Sequence, residues 1–220
     1  MTPQSISANT TGRGRAYRSE LRQQQAEQTR SRVVAAAVEL FAEYGYARTT
    51  LAKIADEAGV SPETVQAHGP KAALMIAAAE YAAVGVAGEE DILNLDVGRR
   101  FLAVPDRAAA LDLLAAEHTE ANERAARLAR ALSGAAGTDP ELDRYLADLI
   151  ASINKQIGRL LGVCRDRGWL RDDLAFDEIV ETAVVICSVE TYLRITHHDG
   201  WSATRYRKWL RRMLAETVFR

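Results

Sequence analysis

The chain has 220 residues, which suits one large domain or a small domain joined to a larger one. Its composition, 48% hydrophobic and 26% charged, is ordinary for a soluble globular protein, and its formal net charge of −2 identifies no partner. No stretch reaches the roughly 18–20 apolar residues of a membrane span, and the first 30 residues lack the apolar segment of a signal peptide. We therefore expect a cytoplasmic protein with no membrane partner.

Charge is distributed unevenly along the chain. Residues 1–35 carry six arginines against two glutamates, whereas residues 72–220 carry 19 basic and 23 acidic residues. A basic end on an acidic body suits an anionic partner at that end, although a solvated tail that aids solubility explains the charge equally well. Because residues 1–22 are polar and contain Gly12 and Gly14, we expect them to form a flexible basic arm.

Apolar residues at helical spacing, capping hydroxyl groups and glycine stops predict an all-α chain after this arm. Gly59 breaks the second helix, and Gly69-Pro70 stops a very short third one. The expected helices cover residues 23–44, 51–58, 62–68, 71–87, 106–132, 141–167, 176–197 and 203–218, with residues 88–105 irregular.

The last two predicted helices carry the most apolar surface. The helix over residues 176–197 is apolar on nearly every side, and such a helix needs a second layer over it. The last helix has one clean apolar face. Both patterns favour a homodimer, against the alternative that the two helices complete the core of a single chain. The expected interface residues are Val185, Val189, Tyr206, Trp209, Leu210, Met213 and Leu214.

Residues 50–68 have the spacing of a helix-turn-helix. Gly59 can supply the positive φ of a tight turn, Val60 can fill the space between the two helices, and the small Ala55 permits their close approach. The second helix of such a motif lies in the major groove with its first residues against base edges. Other helical hairpins with a glycine turn look similar, so the spacing alone does not decide the function.

A longer stretch, Arg32 to Leu74, resembles the DNA-binding domain of the TetR family of transcription regulators. The residues that carry the resemblance are Ala36-Ala37, Leu40-Phe41, Gly45-Tyr46, Thr49-Thr50, Ile54-Ala55, Ala58-Gly59-Val60-Ser61, Thr64-Val65, His68 and Lys71. The run Gly200-Trp201-Ser202, with Tyr206 and Trp209-Leu210, is also similar to C-terminal helices of that family.

The resemblance implies two domains: a three-helix helix-turn-helix domain over residues 23–70, and a larger helical ligand-binding and dimerisation domain over residues 71–220. It also implies a repressor that binds double-stranded operator DNA as a homodimer. An unknown small-molecule effector would shift the fourth helix, change the spacing of the two recognition helices and release the DNA.

Candidate DNA contacts surround the third helix. Glu63 can accept a hydrogen bond from a cytosine amine, although a carboxylate in a first helical turn also suits the helix dipole. Thr50 and Ser61 can donate to phosphate or act as helix N-caps. The full set of expected DNA contacts is Arg48, Thr50, Ser61, Pro62, Glu63, Thr64, Gln66, Ala67, His68 and Lys71, with Arg13, Arg15, Arg18 and Arg22 from the arm.

The run from Val65 to Lys71 departs from the family pattern. Relatives carry Tyr where this chain has Gln66 and Phe where it has Gly69, and the loop here is one residue shorter. Gln66 can replace the lost hydroxyl by contacting phosphate or an adenine edge, with the arginine arm compensating. Alternatively, DNA contact is degenerate and the protein is a ligand-binding or interaction module.

Candidate effector contacts lie in the larger predicted domain, although each of them is better explained as ordinary core than as a ligand contact. They are Met75, Ala79, Leu114, His118, Asn154, Ile157 and Val184.

The competing class is an all-helical enzyme. The acidic run Asp172–Glu178 can bind Mg²⁺, but it stands where a helix needs capping, and His197-His198-Asp199 ends a helix where histidine suits the dipole. Cys164 and Cys187 lack metal-type spacing, and no phosphate loop or HExxH motif is present. We therefore expect no enzyme, no cofactor and no metal.

Overall fold

A computed structural model gives the fold; it describes the backbone of residues 10–82 and 91–220 and the side chains of residues 23–82 and 91–220. In these ranges the helices are α1 (Thr10–Arg48), α2 (Leu51–Ala58), α3 (Pro62–Gln66), α4 (Lys71–Ala82), α5 (Asp96–Leu102), α6 (Arg107–Ala136), α7 (Pro140–Asp166), α8 (Phe176–Cys187), α9 (Val189–Leu193) and α10 (Ala203–Thr217). β-type pairing in this part of the chain is limited to one antiparallel bridge between Leu170 and Phe219. The all-α class is therefore confirmed. None of the described helices is long and apolar enough to cross a lipid bilayer.

The first helix is longer than its apolar stripe predicts. It begins at Thr10, so the backbone of residues 10–22 is helical where an irregular arm was expected. The residues before and around Gln23 are mainly Arg, Gln, Glu and Ala, which favour helix, and no proline interrupts them. Gly45, with φ 75° and ψ 169°, interrupts the helical backbone near its end, close to the predicted stop. Residues 1–9 and the side chains of residues 10–22 lie outside the described residues.

The turn between α2 and α3 has the geometry that the helix-turn-helix spacing predicts. Gly59 adopts φ 63° and ψ 42°, which a glycine reaches without steric cost. Its N–H donates to the Asp56 carbonyl at 3.2 Å, and the Val60 N–H donates to the Ala55 carbonyl at 3.0 Å. These two bonds form a Schellman ending for α2. The chain then turns at once into α3.

The three N-terminal helices do not form a core by themselves. Val33, Phe41 and Val65 are fully buried in one cluster that also contains Leu74 and Met75 of α4. The cluster extends to further buried residues at the end of α6 and the start of α7: Leu128, Leu132, Ala135 and Leu142. The packing therefore continues across the boundary that the sequence places between residues 70 and 71.

A second cluster fills the rest of the molecule, between α5, α6, α7, α8 and α10. Residues 91–102, expected to be irregular, form a 3₁₀ turn over Ile92–Asn94 followed by α5. Gly98 permits this arrangement, because a Cβ atom there would lie 2.0 Å from the Ile92 carbonyl oxygen. The side-chain Oε1 of Gln156 in α7 accepts from the Ile92 N–H at 3.0 Å and fixes the turn to the core.

The helix expected over residues 176–197 is broken at Ser188. Ser188 has ψ 152°, and its side-chain oxygen caps α9 by accepting from the Thr191 N–H at 3.1 Å. The Cys187 carbonyl is bound instead by the Asn122 side-chain amide of α6 at 2.9 Å. A π-helical turn, Arg194–His198, then follows α9. The prediction of one continuous helix is therefore wrong, because a side chain from another helix takes the place of a helical hydrogen bond.

Candidate functional site

The exposed surface of α3 is the part of the helix-turn-helix that a nucleic acid can reach. Ser61 caps the helix by accepting from the Thr64 N–H at 3.3 Å, and Pro62 occupies the first position. Val65 is fully buried and holds the helix on the N-terminal cluster. Glu63 and Gln66 are exposed. Ala67 is exposed as well, whereas Thr64 and His68 are partly buried.

The Glu63 carboxylate is held in its ionised form. Its hydrogen bond with Ser61 lowers the pKa of Glu63 below the ordinary value. The side chain therefore stays ionised and acts purely as a hydrogen-bond acceptor at neutral pH. Such a group repels phosphates and suits a base amine, so its position favours a contact in the groove over a contact to the backbone.

Gly69, where the chain departs from the family pattern, has a backbone conformation that favours glycine. Gly69 has φ 116°, a region that L-residues rarely adopt. A Cβ atom there would also lie 3.1 Å from the Ala73 Cβ. The short loop between α3 and α4 therefore requires glycine where relatives carry an aromatic anchor. Gln66 remains exposed at the end of α3.

Lys71, a predicted phosphate contact, is bound to the end of α1. Its Nζ donates to the Tyr46 carbonyl at 3.0 Å and lies 4.1 Å from the centroid of the Tyr46 ring. The ammonium group is thus partly buried and bound within the protein, and its contact with phosphate stays a prediction.

Tyr46 is a connecting residue that the sequence analysis did not single out. Its hydroxyl donates to Oδ2 of Asp139 at 3.1 Å, and Asp139 caps α7. Burial and this hydrogen bond raise the pKa of Tyr46 to about 12. Together with Lys71, Tyr46 joins the end of α1 to the starts of both α4 and α7. In the sequence, the Gly45-Tyr46 pair matched the family pattern but did not indicate that Tyr46 contacts Asp139 and Lys71.

The charge of the helix-turn-helix itself is slightly negative. Residues 36–71 contain three basic and five acidic residues. Arg48 is exposed and its Nε donates to the Tyr44 carbonyl at 2.9 Å, while the Thr50 side chain accepts from the Lys53 N–H at 3.2 Å as a helix cap. The side chains of the four arginines predicted to contact DNA from the arm, Arg13, Arg15, Arg18 and Arg22, lie outside the described residues.

A cavity of about 210 Å³ lies between α4, α6, α7 and the α8–α9 break. Its wall contains five of the seven predicted effector contacts: Ala79, His118, Asn154, Ile157 and Val184. Met75 and Leu114 are not in the wall. Met75 is fully buried in the N-terminal cluster, and Leu114 packs in the second cluster, because the helix faces that carry them point into the two cores.

The cavity wall is mostly aliphatic, with a few polar groups. Nδ1 of His118 donates to the Leu114 carbonyl at 2.9 Å, one turn earlier on α6. Desolvation lowers the pKa of His118, outweighing the Leu114 carbonyl and Glu117, which act in the opposite direction. The imidazole is therefore neutral at pH 7.

Asn122 and Gln156 also line the cavity, and the sequence analysis missed both. Each is a buried polar residue on an otherwise apolar helix face. A polar amide at an apolar position of the helical pattern was the signal in the sequence that could have identified both residues, since a buried amide needs a specific partner. The Asn122 partner is the Cys187 carbonyl, and Gln156 binds the Ile92 N–H.

Two leucines connect the cavity to the helix-turn-helix. Leu128 and Leu132 of α6 line the cavity and belong to the N-terminal cluster. Ala79 of α4 does the same. Because protein interiors are close-packed, a molecule that enlarges the cavity displaces residues that support α1, α2 and α3.

The predicted dimer residues separate into two groups. Tyr206, Leu210 and Leu214 are buried in the second cluster, so for them the interface prediction is corrected: their apolar stripe completes the core of the chain. Val185, by contrast, has 56% of its surface exposed. The remaining predicted interface residues, Val189, Trp209 and Met213, are partly buried.

The acidic and histidine motifs that could indicate an enzyme are engaged in surface contacts. Arg171 pairs with Asp173 at 2.6 Å, which lowers the pKa of Asp173, and Arg220 lies 3.5 Å from Asp172. Arg194 pairs with Asp199. Within the described residues, no group of three or more His, Cys, Asp or Glu side chains is placed to hold a metal ion.

Comparisons with known proteins give a family for the N-terminal part. Residues 33–78 match the model of the bacterial regulatory proteins of the tetR family. No curated protein shows a significant sequence match.

Many solved structures share the fold. A protein of Mesorhizobium loti MAFF303099, assigned to TetR-family transcriptional regulators, has a TM-score of 0.71 and 17% identity over 89% of this chain and 98% of its own. A protein of Saccharomonospora viridis, described as a transcriptional regulator and solved with choline, has a TM-score of 0.69 and 16% identity over 88% and 99%. The fatty acid degradation regulator FadR of Bacillus halodurans has a TM-score of 0.66 and 19% identity over 84% and 93%. Residues 33–78 of this chain thus resemble the N-terminal segment of the tetR family, and the described fold is shared with solved structures of such regulators.

Proposed function

We propose that the protein is a homodimeric repressor that binds operator DNA through α3 and leaves it when a small molecule occupies the cavity. The observation that carries this proposal is the continuity between the two sites. Leu128, Leu132 and Ala79 belong both to the cavity wall and to the cluster beneath the helix-turn-helix.

The fourth helix provides the mechanical link. Lys71 at its start is bound to Tyr46, and Ala79 lies in the cavity wall about 12 Å further along the helix at 1.5 Å per residue. A ligand that pushes on Ala79 therefore tilts a rigid element whose other end holds α1. Paired half-sites on DNA are about 34–36 Å apart, so a small tilt in each subunit breaks the match between dimer and operator.

The ligand acts only through its preference for one of the two arrangements. The repressor therefore has to exist in two states. The state that fits DNA has a well-packed cavity, and the state that does not fit DNA has an enlarged one. The relative from Saccharomonospora viridis was solved with choline, which supports a ligand-responsive role for this fold without naming the ligand of this chain.

The test is the affinity of the purified protein for labelled DNA from the promoter of its own gene, measured by fluorescence anisotropy with unrelated DNA as competitor. We expect saturable, sequence-selective binding that Gln66→Ala weakens by roughly 5- to 100-fold, the range for losing one base-edge contact. Glu216→Ala, an exposed change at the far end of α10, is the matched control and leaves the affinity unchanged. Binding without any sequence preference would contradict the proposal and favour an interaction module.

A further inference from the structure

We propose that the cavity takes a small uncharged molecule with an aliphatic body and one hydroxyl group, and that this hydroxyl donates a hydrogen bond to Nε2 of His118. The inference deepens the proposed function, since it names the effector class of that cavity and rests on it for the regulatory consequence. The binding itself is measured without DNA.

The hydrogen-bonding state of His118 follows from its neighbours. A carbonyl oxygen can only accept, so the 2.9 Å contact between Nδ1 and the Leu114 carbonyl requires the proton on Nδ1. In a neutral imidazole the other nitrogen is then an acceptor. No described residue donates to Nε2 of His118, and the side chain retains accessible surface as a member of the cavity wall. The cavity therefore offers an acceptor that a ligand hydroxyl can satisfy.

Apart from the partly buried Asn154, most other polar side chains of the wall are already engaged or exposed to solvent. The Asn122 amide donates to the Cys187 carbonyl, and Oε1 of Gln156 accepts from the Ile92 N–H. Arg124 and Glu190 are wall residues with exposed side chains, so their charges remain in contact with solvent. An anionic ligand consequently finds no buried cation, and a cationic one finds no buried carboxylate, in the described wall.

Phenylalanine, tyrosine and tryptophan are also missing from the described wall. Quaternary ammonium groups are recognised mainly by aromatic faces, which attract a cation through the ring quadrupole. The wall instead presents many Ala, Leu, Ile and Val side chains, which suit an alkyl chain. This composition excludes a cage for a choline-like cation and favours an aliphatic body.

The size of the cavity limits the ligand further. A volume of about 210 Å³ is enough for several water molecules, and so for a small organic ligand. 1-Heptanol is a suitable small probe, and hexyl methyl ether is its isomer without a donor.

The experiment is isothermal titration calorimetry of the full-length protein with four probes: 1-heptanol, hexyl methyl ether, heptanoate and heptylammonium, all at pH 7.5. We expect saturable binding of 1-heptanol, binding of the ether at least tenfold weaker, and no saturable binding of either ion. A preference for an ion, equal affinities of alcohol and ether, or no binding by any probe overturns the proposal.

Two variants test the role of His118 itself. His118→Leu is expected to bind alcohol and ether equally, whereas His198→Leu, the same change at an exposed histidine outside the cavity wall, keeps the preference for the alcohol. If His118→Leu fails to fold, the ¹⁵N shift of Nε2 in the unsubstituted protein gives the answer, because accepting a hydrogen bond from 1-heptanol moves it upfield. An unmoved Nε2 signal at saturation contradicts the proposal.

The result separates this inference from the proposed function. Selective binding of 1-heptanol that leaves the affinity for promoter DNA unchanged overturns the regulatory mechanism and retains the ligand class. Release of DNA by another class of molecule, with no 1-heptanol binding, does the reverse.

Discussion

The Tyr206 hydroxyl is buried without a hydrogen-bond partner among the described residues. Asn122 is close enough to influence the pKa of Tyr206, which burial raises, yet the Asn122 amide donates to Cys187 and no well-formed bond reaches the hydroxyl. Burial of an unsatisfied hydroxyl costs free energy. The Tyr46 hydroxyl is the contrasting case, since it donates to Asp139.

Removing each hydroxyl should therefore change stability in opposite directions. We expect Tyr206→Phe to raise the free energy of unfolding by about 1 kcal/mol, and Tyr46→Phe to lower it by about 1 kcal/mol. Urea denaturation followed by circular dichroism measures both, and each substitution serves as the control for the other. Destabilisation by Tyr206→Phe would show that its hydroxyl is satisfied in the folded protein.

The elements differ in how far the sequence determines them. The capping side chains Thr50, Ser61 and Ser202 could be predicted because a cap is local, and the structure gives each of them the expected backbone N–H within three residues. The break at Ser188 could not, since its run of Val, Ile and Cys has helical periodicity and no glycine or proline. It depends on Asn122, 65 residues from Cys187 along the chain.

Dependence on residues distant in sequence also limits the prediction of the candidate sites. The apolar stripe of α10 is equally suited to a dimer interface or a core, and only its burial by other helices assigns Tyr206 and Leu210 to the core. Within the effector cavity, His118 and Asn154 could be predicted as polar residues on helices of the larger domain. Met75 could not be excluded, because its side of α4 faces a cluster made by residues far away in sequence.

The N-terminal part of α1 carries arginines that should determine how DNA binding depends on salt. Because residues 36–71 are net acidic, attraction to phosphate has to come from elsewhere, and the four arginines between residues 13 and 22 are the nearest concentration of positive charge in the sequence. Changing all four to Gln keeps the helix-forming character of the segment. We expect the slope of log affinity against log salt to fall by as much as four, about one for each lost phosphate contact.

Deletion of residues 1–22 should give the same reduced slope if charge, rather than length, is responsible. The measurement is anisotropy of promoter DNA at several salt concentrations. An unchanged slope in the variant with all four arginines changed to Gln would mean that these arginines are solvated and have no role in binding.

For the whole molecule, α8 presents an exposed apolar residue, Val185, as a candidate contact for a second subunit. Val185 is largely exposed on a helix that packs against α10, whose Trp209 and Met213 are partly buried. An exposed apolar residue beside other partly exposed apolar residues indicates an interaction surface. We propose that the homodimer forms there.

Val185→Arg should therefore shift the protein from dimer to monomer, because an unpaired charge in an apolar interface is strongly unfavourable. Light scattering after size-exclusion chromatography measures the mass. Leu102→Arg, at another exposed apolar residue, on α5, is the control and should leave the dimer intact. A dimer that survives Val185→Arg and is lost in Leu102→Arg would place the interface on the opposite part of the molecule.

The coupling between cavity and DNA is the central claim, and one substitution tests it without knowledge of the effector. Ala79→Leu adds three carbon atoms at the cavity wall and imitates an occupied cavity. Glu80→Leu places the same side chain at an exposed position of the same helix and is the control. The measurement is the affinity of both variants for promoter DNA by fluorescence anisotropy, with circular dichroism to establish that they are folded. The account predicts an affinity at least tenfold lower for Ala79→Leu and an unchanged affinity for Glu80→Leu; a folded Ala79→Leu variant that binds DNA as tightly as the unsubstituted protein contradicts it.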